Sequence, residues 1–189
     1  NGKPGLNNFG WRPMKPRIAS FAPVARTSAS ILILGSIPGA ASLAADQYYA
    51  HPRNAFWPIM GELLGFTPDA PYAERLMALQ QAGIALWDVL HSCHRQGSLD
   101  TAIERDSIEV NDFERFFADH PNIRLVCFNG GTAERSYRQH VLRQDAPAAL
   151  RYVRLPSTSP AHAALSLTQK MEIWRAALMP QHPVTEQGA

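Results

Sequence analysis

Residues 31–35 read Ile-Leu-Ile-Leu-Gly, and this stretch decides the fold. Four apolar residues, two of them β-branched, follow one another without alternation and end at a glycine. That pattern is typical of a strand that is buried on both faces of a sheet. Further strands are predicted at 84–90, 123–128 and 151–155.

Helices are predicted between and after these strands. Apolar residues recur at helical spacing in 55–64, where Asn54 stands at the N-cap position and Gly65 at the C-cap position. Other helical segments are predicted at 71–81, 111–118, 133–142 and 166–178, with a single helical turn near 42–46. Strands that alternate with helices predict a parallel sheet sandwiched by helices, an α/β fold.

Three loops are expected to meet at one edge of this sheet. GSIPG (35–39), FNGG (128–131) and LPSTSP (155–160) each follow a predicted strand. Ligands of open α/β sheets bind beyond the carboxyl ends of the strands, so these loops are the expected site. Glycine, proline and serine are also common in ordinary turns, so a purely structural role stays open.

The composition favours a single globular domain. The chain has 189 residues, 46% of them hydrophobic, and two cysteines, which excludes general disorder, a disulfide scaffold and a four-cysteine metal site. No apolar stretch is long enough to span a membrane, and the N-terminus lacks the apolar core of a secretory signal. We therefore expect one soluble cytoplasmic domain over 1–189, with loose tails at 1–19 and 180–189.

Charge is distributed unevenly along the chain. Residues 1–57 carry a net charge of +5, residues 58–120 carry −7, and residues 121–189 carry +4. Two basic ends around an acidic middle can form one positive face that attracts a polyanion, or they can be ordinary solvated surface.

The segment QYYAHPRNAFW (47–57) has the densest set of functional side chains. Aromatic faces beside an arginine suit stacking on a base and contact with a phosphate. Alternatively, Phe56 and Trp57 begin the core-facing side of the helix. For metal chemistry the sequence offers little, because the spacing in His91-Ser92-Cys93-His94 matches no standard ligand set.

GSIPG, QYYAHPRNAFW, FNG and LPSTSPAH occur in this order, with LWDVLHSC and GSLD between them. The ordered set resembles the uracil-DNA glycosylase superfamily, and within it most nearly the hypoxanthine-DNA glycosylase branch, family six. The resemblance implies a three-layer α/β/α sandwich with a four-stranded, mainly parallel sheet. It also implies a monofunctional DNA glycosylase that flips out a damaged base and hydrolyses its N-glycosidic bond without a metal or other cofactor.

The expected partner is double- or single-stranded DNA that contains a damaged base, bound by a monomer with no membrane association. In a bacterial cell the protein would be associated with the nucleoid. The expected substrate is deaminated purine, chiefly hypoxanthine. The alternatives are a mismatch-specific uracil or thymine glycosylase and a catalytically silent DNA-binding member; a ribohydrolase of free nucleosides is disfavoured because its aspartate cluster is missing.

One departure from the family pattern affects the catalytic assignment. Ile37 occupies the position where mismatch-specific relatives have asparagine and uracil-specific relatives have aspartate, and its side chain cannot orient water. In the hypoxanthine branch an asparagine in the next motif is the expected catalytic residue, so that role is carried to Asn54, with Ser36 as a second candidate. Leu155 stands where uracil-specific relatives have a histidine. Stabilisation of the departing base is therefore assigned to His162 or to backbone donors, unless His162 contacts phosphate instead.

The remaining site residues fall into two groups. The base-binding residues are predicted to be Tyr48, Tyr49, Phe56, Phe128 and Asn129. The DNA-binding residues are predicted to be His51, Arg53, Ser157, Thr158 and Ser159.

Overall fold

A parallel four-stranded sheet forms the centre of the structure, a computed structural model that describes residues 16–142 and 150–179. Its strand order is β3-β2-β6-β7, with β2 at Ile31–Gly35, β3 at Ile84–Asp88, β6 at Leu125–Asn129 and β7 at Arg151–Leu155. Gly35 pairs with Asp88, and Asn129 pairs with Leu155. The carboxyl ends of all four strands therefore lie at the same edge of the sheet.

Helices cover both faces of this sheet. The helices are α1 (Ala40–Ala45), α2 (Phe56–Leu64), α3 (Tyr72–Gln81), α4 (Phe113–Asp119), α5 (Gly131–His140) and α6 (Leu167–Leu178). Leu32 and Leu34 pack into an apolar cluster with α4 and α5, whereas Ile33 packs into a second cluster with α2, α3 and α6. The alternate residues of β2 are thus buried on opposite faces, which confirms the predicted three-layer α/β/α fold.

A second, antiparallel sheet lies beside the first and was not predicted. Its strands are β1 (Arg17–Ala19), β4 (Leu90–His94) and β5 (Glu109–Val110), in the order β1-β4-β5. The expectation that 1–19 is a loose tail is therefore wrong for Arg17–Ala19, which pairs with 92–94. Residues 1–15 and 180–189, which complete the two predicted tails, lie outside the described residues.

The single strand predicted over 84–90 is two strands that belong to different sheets. The chain leaves the parallel sheet after Asp88, where Val89 N–H donates to Gly35 O (2.9 Å) and Leu90 N–H to Ser36 O (3.0 Å). The segment that follows the strand is in this way tied to the GSIPG loop. Because apolar residues continue on the far side of Asp88, at Val89 and Leu90, the segment was predicted as one strand.

Among residues 16–142 and 150–179, no helix has both the length and the apolar character needed to cross a lipid bilayer.

Candidate active site

The three predicted loops line one cleft at the carboxyl ends of the parallel strands. Its volume is about 910 Å³. The predicted site residues that line the cleft are Ser36, Tyr48, Tyr49, His51, Asn54, Asn129, Ser157, Thr158, Ser159 and His162. Phe56, Phe128 and Arg53 are not part of its lining.

Asn54 lies at the cleft just before α2. Its Oδ1 accepts a hydrogen bond from Phe56 N–H (2.9 Å), the first N–H of α2, but the N-cap position belongs to Ala55 and not, as expected from the sequence, to Asn54. An amide oxygen has two acceptor sites, so this bond leaves one for a water molecule. The neighbouring Ala55 N–H donates to Thr158 O (2.9 Å), which fixes Asn54 beside the loop that follows β7. Asn54 can therefore pair with the first N–H of α2 and hold a water at the same time.

Ile37 and Ser36 show how the GSIPG loop is held. Ile37 is only 6% exposed and packs into the apolar cluster, so it offers no polar group to the cleft. Ser36 Oγ donates to Asp100 Oδ1 (2.9 Å). This bond gives Ser36 a role in shaping the loop and commits its proton to Asp100.

A buried arginine reinforces the same loop. Arg95 is 1% exposed, and its guanidinium donates to Pro38 O and, through Nε, to Gly97 O (2.9 Å). Ala40 N–H also donates to Ser98 Oγ (2.9 Å). The segment around GSLD is therefore the support on which the GSIPG loop rests, a role that no local sequence pattern indicated.

The aromatic residues are divided between the core and the cleft. Phe56 and Phe128 are fully buried, and this placement corrects the expectation that their rings contact a base. The side chain of Tyr48 is also in the core, at 3% exposure, with its hydroxyl donating to Ala22 O (3.2 Å). Tyr49 is half-buried at the cleft and stacks on Phe56, with ring centroids 4.1 Å apart. Phe56 thus supports a tyrosine at the cleft and does not itself face it.

Asn129 is held by the loop that follows β7. Its Nδ2 donates to Thr158 Oγ1 (2.8 Å), and its Oδ1 accepts from Thr158 N–H (2.9 Å). The next residue, Gly130, has φ of 93°, and a β-carbon there would lie 2.9 Å from Ser157 Cβ. Only glycine suits this close approach, so the FNGG and LPSTSP loops form one packed unit.

The residues predicted to contact DNA occupy different environments. Thr158 is fully buried, and its hydroxyl oxygen and N–H pair with Asn129, so its side chain has no exposed surface for the predicted contact with DNA. His51, Ser157 and Ser159 line the cleft and are half-buried.

Two more of these residues are exposed. Arg53 lies outside the cleft lining. His162 is exposed at the rim, where its carbonyl accepts from Lys170 Nζ (2.7 Å). The Lys170 side chain thereby ties the end of the loop to α6.

Two further arginines line the cleft and were not among the predicted site residues. Arg135 on α5 and Arg154 on β7 are exposed, and Arg154 forms an ion pair with Glu134 (3.5 Å). The sequence places arginines on the outer face of the predicted helix 133–142, but that pattern alone does not separate them from solvated surface. Their position beside the loops suits contact with backbone phosphates.

Asp88 is the most unusual titratable group of the cleft. It is 3% exposed at the end of β3, and burial raises the pKa of its carboxyl to about 7; the Asp100 charge adds to this rise, and Arg95 opposes it. No described residue makes a hydrogen bond with Asp88 Oδ2. From the sequence Asp88 had no obvious carboxylate neighbour, because Asp100 approaches it only in the folded chain.

No group of three histidine, cysteine, aspartate or glutamate side chains in the described part of the chain is arranged to hold a metal ion.

Comparison with known proteins assigns the family. Residues 22–178 match the model of the uracil DNA glycosylase superfamily, which covers the sheet, its helices and all three loops of the cleft. The chain belongs to this superfamily. It is therefore a DNA glycosylase, and DNA is its expected partner.

Similar proteins support this glycosylase assignment. The chain is 42% identical over 111 residues to a hypoxanthine DNA glycosylase of Methanosarcina barkeri, covering 58% of this chain and 69% of the relative. It is 40% identical over 114 residues to a hypoxanthine DNA glycosylase of Methanosarcina acetivorans, covering 60% and 71%. The solution NMR structure of a candidate uracil DNA glycosylase from Methanosarcina acetivorans has a TM-score of 0.70 and 32% identity, covering 86% of this chain and 97% of the other. The resemblance read from the sequence motifs is confirmed.

Proposed function

We propose that this glycosylase acts as a monomer on DNA and removes a deaminated purine, chiefly hypoxanthine. The observation that carries the proposal is its similarity to two proteins named hypoxanthine DNA glycosylase. The cleft is compatible with that chemistry, because the apolar Ile37 leaves Asn54 as the amide that can hold a water.

The proposed reaction is hydrolysis of the bond between the flipped base and its sugar. The transition state has oxocarbenium character on the sugar and negative charge on the departing base. Asn54 Oδ1 accepts a hydrogen bond from water and directs its oxygen towards the sugar carbon. The bond from Phe56 N–H fixes the amide before substrate arrives, so little reorganisation is needed during the reaction.

Stabilisation of the departing base is assigned to the loop that follows β7. Leu155 is 1% exposed and has no polar group to donate. His162 and backbone N–H groups of the loop remain as donors. The exposed position of His162 at the rim favours contact with a phosphate, whereas donation to the base requires the loop to close over the nucleotide.

A uracil- or thymine-directed activity is the second candidate. It is favoured by the structural similarity to the candidate uracil DNA glycosylase. Ile37 disfavours it, because this position carries a polar residue in the mismatch-specific pattern.

A panel of duplexes tests these alternatives. Each duplex carries hypoxanthine, xanthine, uracil or thymine opposite each normal base, and the product is cleaved with alkali after single-turnover reaction. We expect the highest rate for hypoxanthine. A higher rate for uracil or thymine would support the second candidate, and tight lesion binding without strand cleavage would indicate a silent DNA-binding member.

A further inference from the structure

Two buried oxygen atoms at the floor of the cleft have no hydrogen-bond partner among the described residues. They are Asp88 Oδ2 and the Tyr49 hydroxyl. Both residues line the cleft. Buried polar groups are nearly always hydrogen-bonded in folded proteins, so two unpaired oxygens in one cleft are positioned to take a partner from water or from a ligand.

Gly35 allows these two side chains to approach each other. A β-carbon at Gly35 would lie 2.4 Å from Asp88 Oδ1 and 2.9 Å from the Tyr49 hydroxyl. Any side chain there would displace both groups. Asp88 comes from the neighbouring strand, to which Gly35 is paired, and Tyr49 comes from the following loop with φ of 55°. Two separate segments are therefore shaped to bring a carboxyl and a phenol to one point.

The surroundings leave both protonation states of Asp88 accessible near neutral pH. Burial and the charge of Asp100 raise its pKa, whereas Arg95 lowers it, and the balance lies at about 7. Tyr48 and Tyr49 are titratable groups nearby, and burial followed by the Asp88 charge raises the pKa of each phenol, while the neighbouring Asn129 side chain opposes the rise at Tyr49. Both tyrosines therefore stay protonated as hydrogen-bond donors, and Asp88 is the group that titrates.

We infer that ionised Asp88 accepts a hydrogen bond from N1–H of a flipped hypoxanthine, while the Tyr49 hydroxyl donates to its O6. This inference rests on the proposed function and assigns a specificity-determining residue within it. A flipped base is read through its Watson–Crick edge, and hypoxanthine presents one donor and one acceptor there. The carboxylate and the phenol are complementary to that pair.

When Asp88 is ionised, the same two groups disfavour adenine. Adenine has a lone pair at N1, where hypoxanthine has a hydrogen, and an amino group in place of O6. Its N1 lone pair would face the Asp88 carboxylate, and the Tyr49 hydroxyl would have to turn its proton away to accept from the amino group. An unpaired or repelled polar group in a buried site is costly, so this pair separates the deaminated base from its normal precursor.

The wild-type enzyme gives the first test through its pH dependence. Single-turnover rates are measured from pH 5.5 to 8.5 on duplexes that carry hypoxanthine or unsubstituted purine, which lacks both N1–H and O6. The ionised carboxylate favours hypoxanthine, so its rate is expected to rise relative to that of purine as the pH passes about 7. Protonated Asp88 can donate to N1 of purine, so the purine rate is expected to fall over the same range. If the rates on the hypoxanthine duplex and on the purine duplex depended on pH in the same way, the inference would be overturned.

Asp88→Asn gives the second test, with Asp106→Asn on the exposed segment Arg105–Ser107 as the matched control. We expect Asp88→Asn to lower the hypoxanthine-to-purine rate ratio on the order of 10- to 100-fold, the range for loss of a charged hydrogen bond. The difference between the two pH profiles should also disappear, and the control should retain it. Tyr49→Phe should lower the ratio without removing the pH difference.

The outcomes separate this inference from the proposed function. A wild-type enzyme that does not excise hypoxanthine contradicts both. Efficient hypoxanthine excision with an unchanged rate ratio in Asp88→Asn contradicts only the role of Asp88. Should Asp88→Asn fail to fold, the two wild-type profiles and Tyr49→Phe still decide the question.

Discussion

Asn129 and Thr158 are joined by two hydrogen bonds, one in each direction, across the end of the parallel sheet. The Asn129 amide donates to the Thr158 hydroxyl (2.8 Å) and accepts from its N–H (2.9 Å). The end of β6 and the loop after β7 are consequently held together by a single side chain. Asn129 therefore has a role in fixing the loop, and its predicted part in base reading falls to the second N–H and the second lone pair of its amide.

Asn129→Ala is predicted to lower the free energy of unfolding by about 1–3 kcal/mol, because it leaves polar groups of buried Thr158 unpaired. Rates on all damaged bases should fall by a similar factor. Asn129→Asp keeps an acceptor for Thr158 N–H and should be milder. Denaturant titration and the substrate panel measure both effects, and a changed ranking among bases would return Asn129 to base recognition.

Asn54→Ala is predicted to reduce the single-turnover rate on the order of 10²–10³-fold, as expected when one preorganised polar group is lost. Affinity for lesion DNA should remain. Asn54→Ser keeps a side-chain oxygen that can accept from Phe56 N–H, so it should retain stability and still lose rate. Asn122→Ala, at an exposed position whose amide contacts Thr27 O, is the matched control. A near-wild-type rate in Asn54→Ala would refute the catalytic assignment.

Phe56→Ala is predicted to act through the core. The side chain is fully buried and stacks on Tyr49, so its removal should lower the free energy of unfolding by about 3–5 kcal/mol. Activity should fall because Tyr49 loses its support. Chemical denaturation and single-turnover assays on Phe56→Leu, which fills most of the space, separate the two effects. Full stability together with lost activity would contradict the core assignment.

Arg135→Ala and Arg154→Ala are each predicted to weaken DNA binding uniformly across base identities. Each should also reduce the slope of log affinity against log salt by about one. Both side chains are exposed at the cleft. Arg115→Ala is the control, since Arg115 is exposed and pairs with Asp119 outside this cleft. Unchanged salt slopes in both variants would exclude these arginines from the phosphate contacts.

Asp88 is predicted to make the protein less stable as the pH rises from about 4 to about 7. The pKa of its carboxyl is raised in the folded state, from 3.8 to about 7, so the folded chain retains a proton that the unfolded chain has lost. The Asp88 carboxyl changes the free energy of unfolding by at most about 1.4 kcal/mol per pH unit. Urea unfolding at several pH values measures this dependence, and Asp88→Asn should make the free energy of unfolding less dependent on pH. An equally steep profile in the variant would assign the slope to other groups.

The sequence predicted those helices and strands that are indicated by the residues of the element itself or by its immediate neighbours. β7 has the predicted bounds, Arg151–Leu155, and α6 begins after Ser166, whose side chain and that of Gln169 form a capping box. β1 was missed because Arg17–Ala19 is a strand only through its pairing with 92–94, far along the chain. Contacts between distant segments leave little trace in a local pattern.

The site was predictable to the level of its loops but not of each side chain. All three motifs line the cleft, because strand ends of a parallel sheet converge. Residue type alone could not decide which of Tyr49 and Phe56 faces the cleft. The importance of Asp88 depends on burial and on the approach of Asp100, both of which arise only when the chain folds.

The left-handed backbone of Tyr49, with φ of 55°, is an uncommon conformation for a bulky residue and costs on the order of 1–3 kcal/mol. The unpaired carboxyl of buried Asp88 also costs folding free energy. The floor of the cleft therefore lowers the stability of the protein while it sets the positions of these two side chains. Laboratory evolution that selects for heat resistance alone should therefore accumulate substitutions at these two positions early. Thermostable descendants obtained in this way would be expected to discriminate poorly between bases, so such a selection has to be paired with a screen for substrate choice.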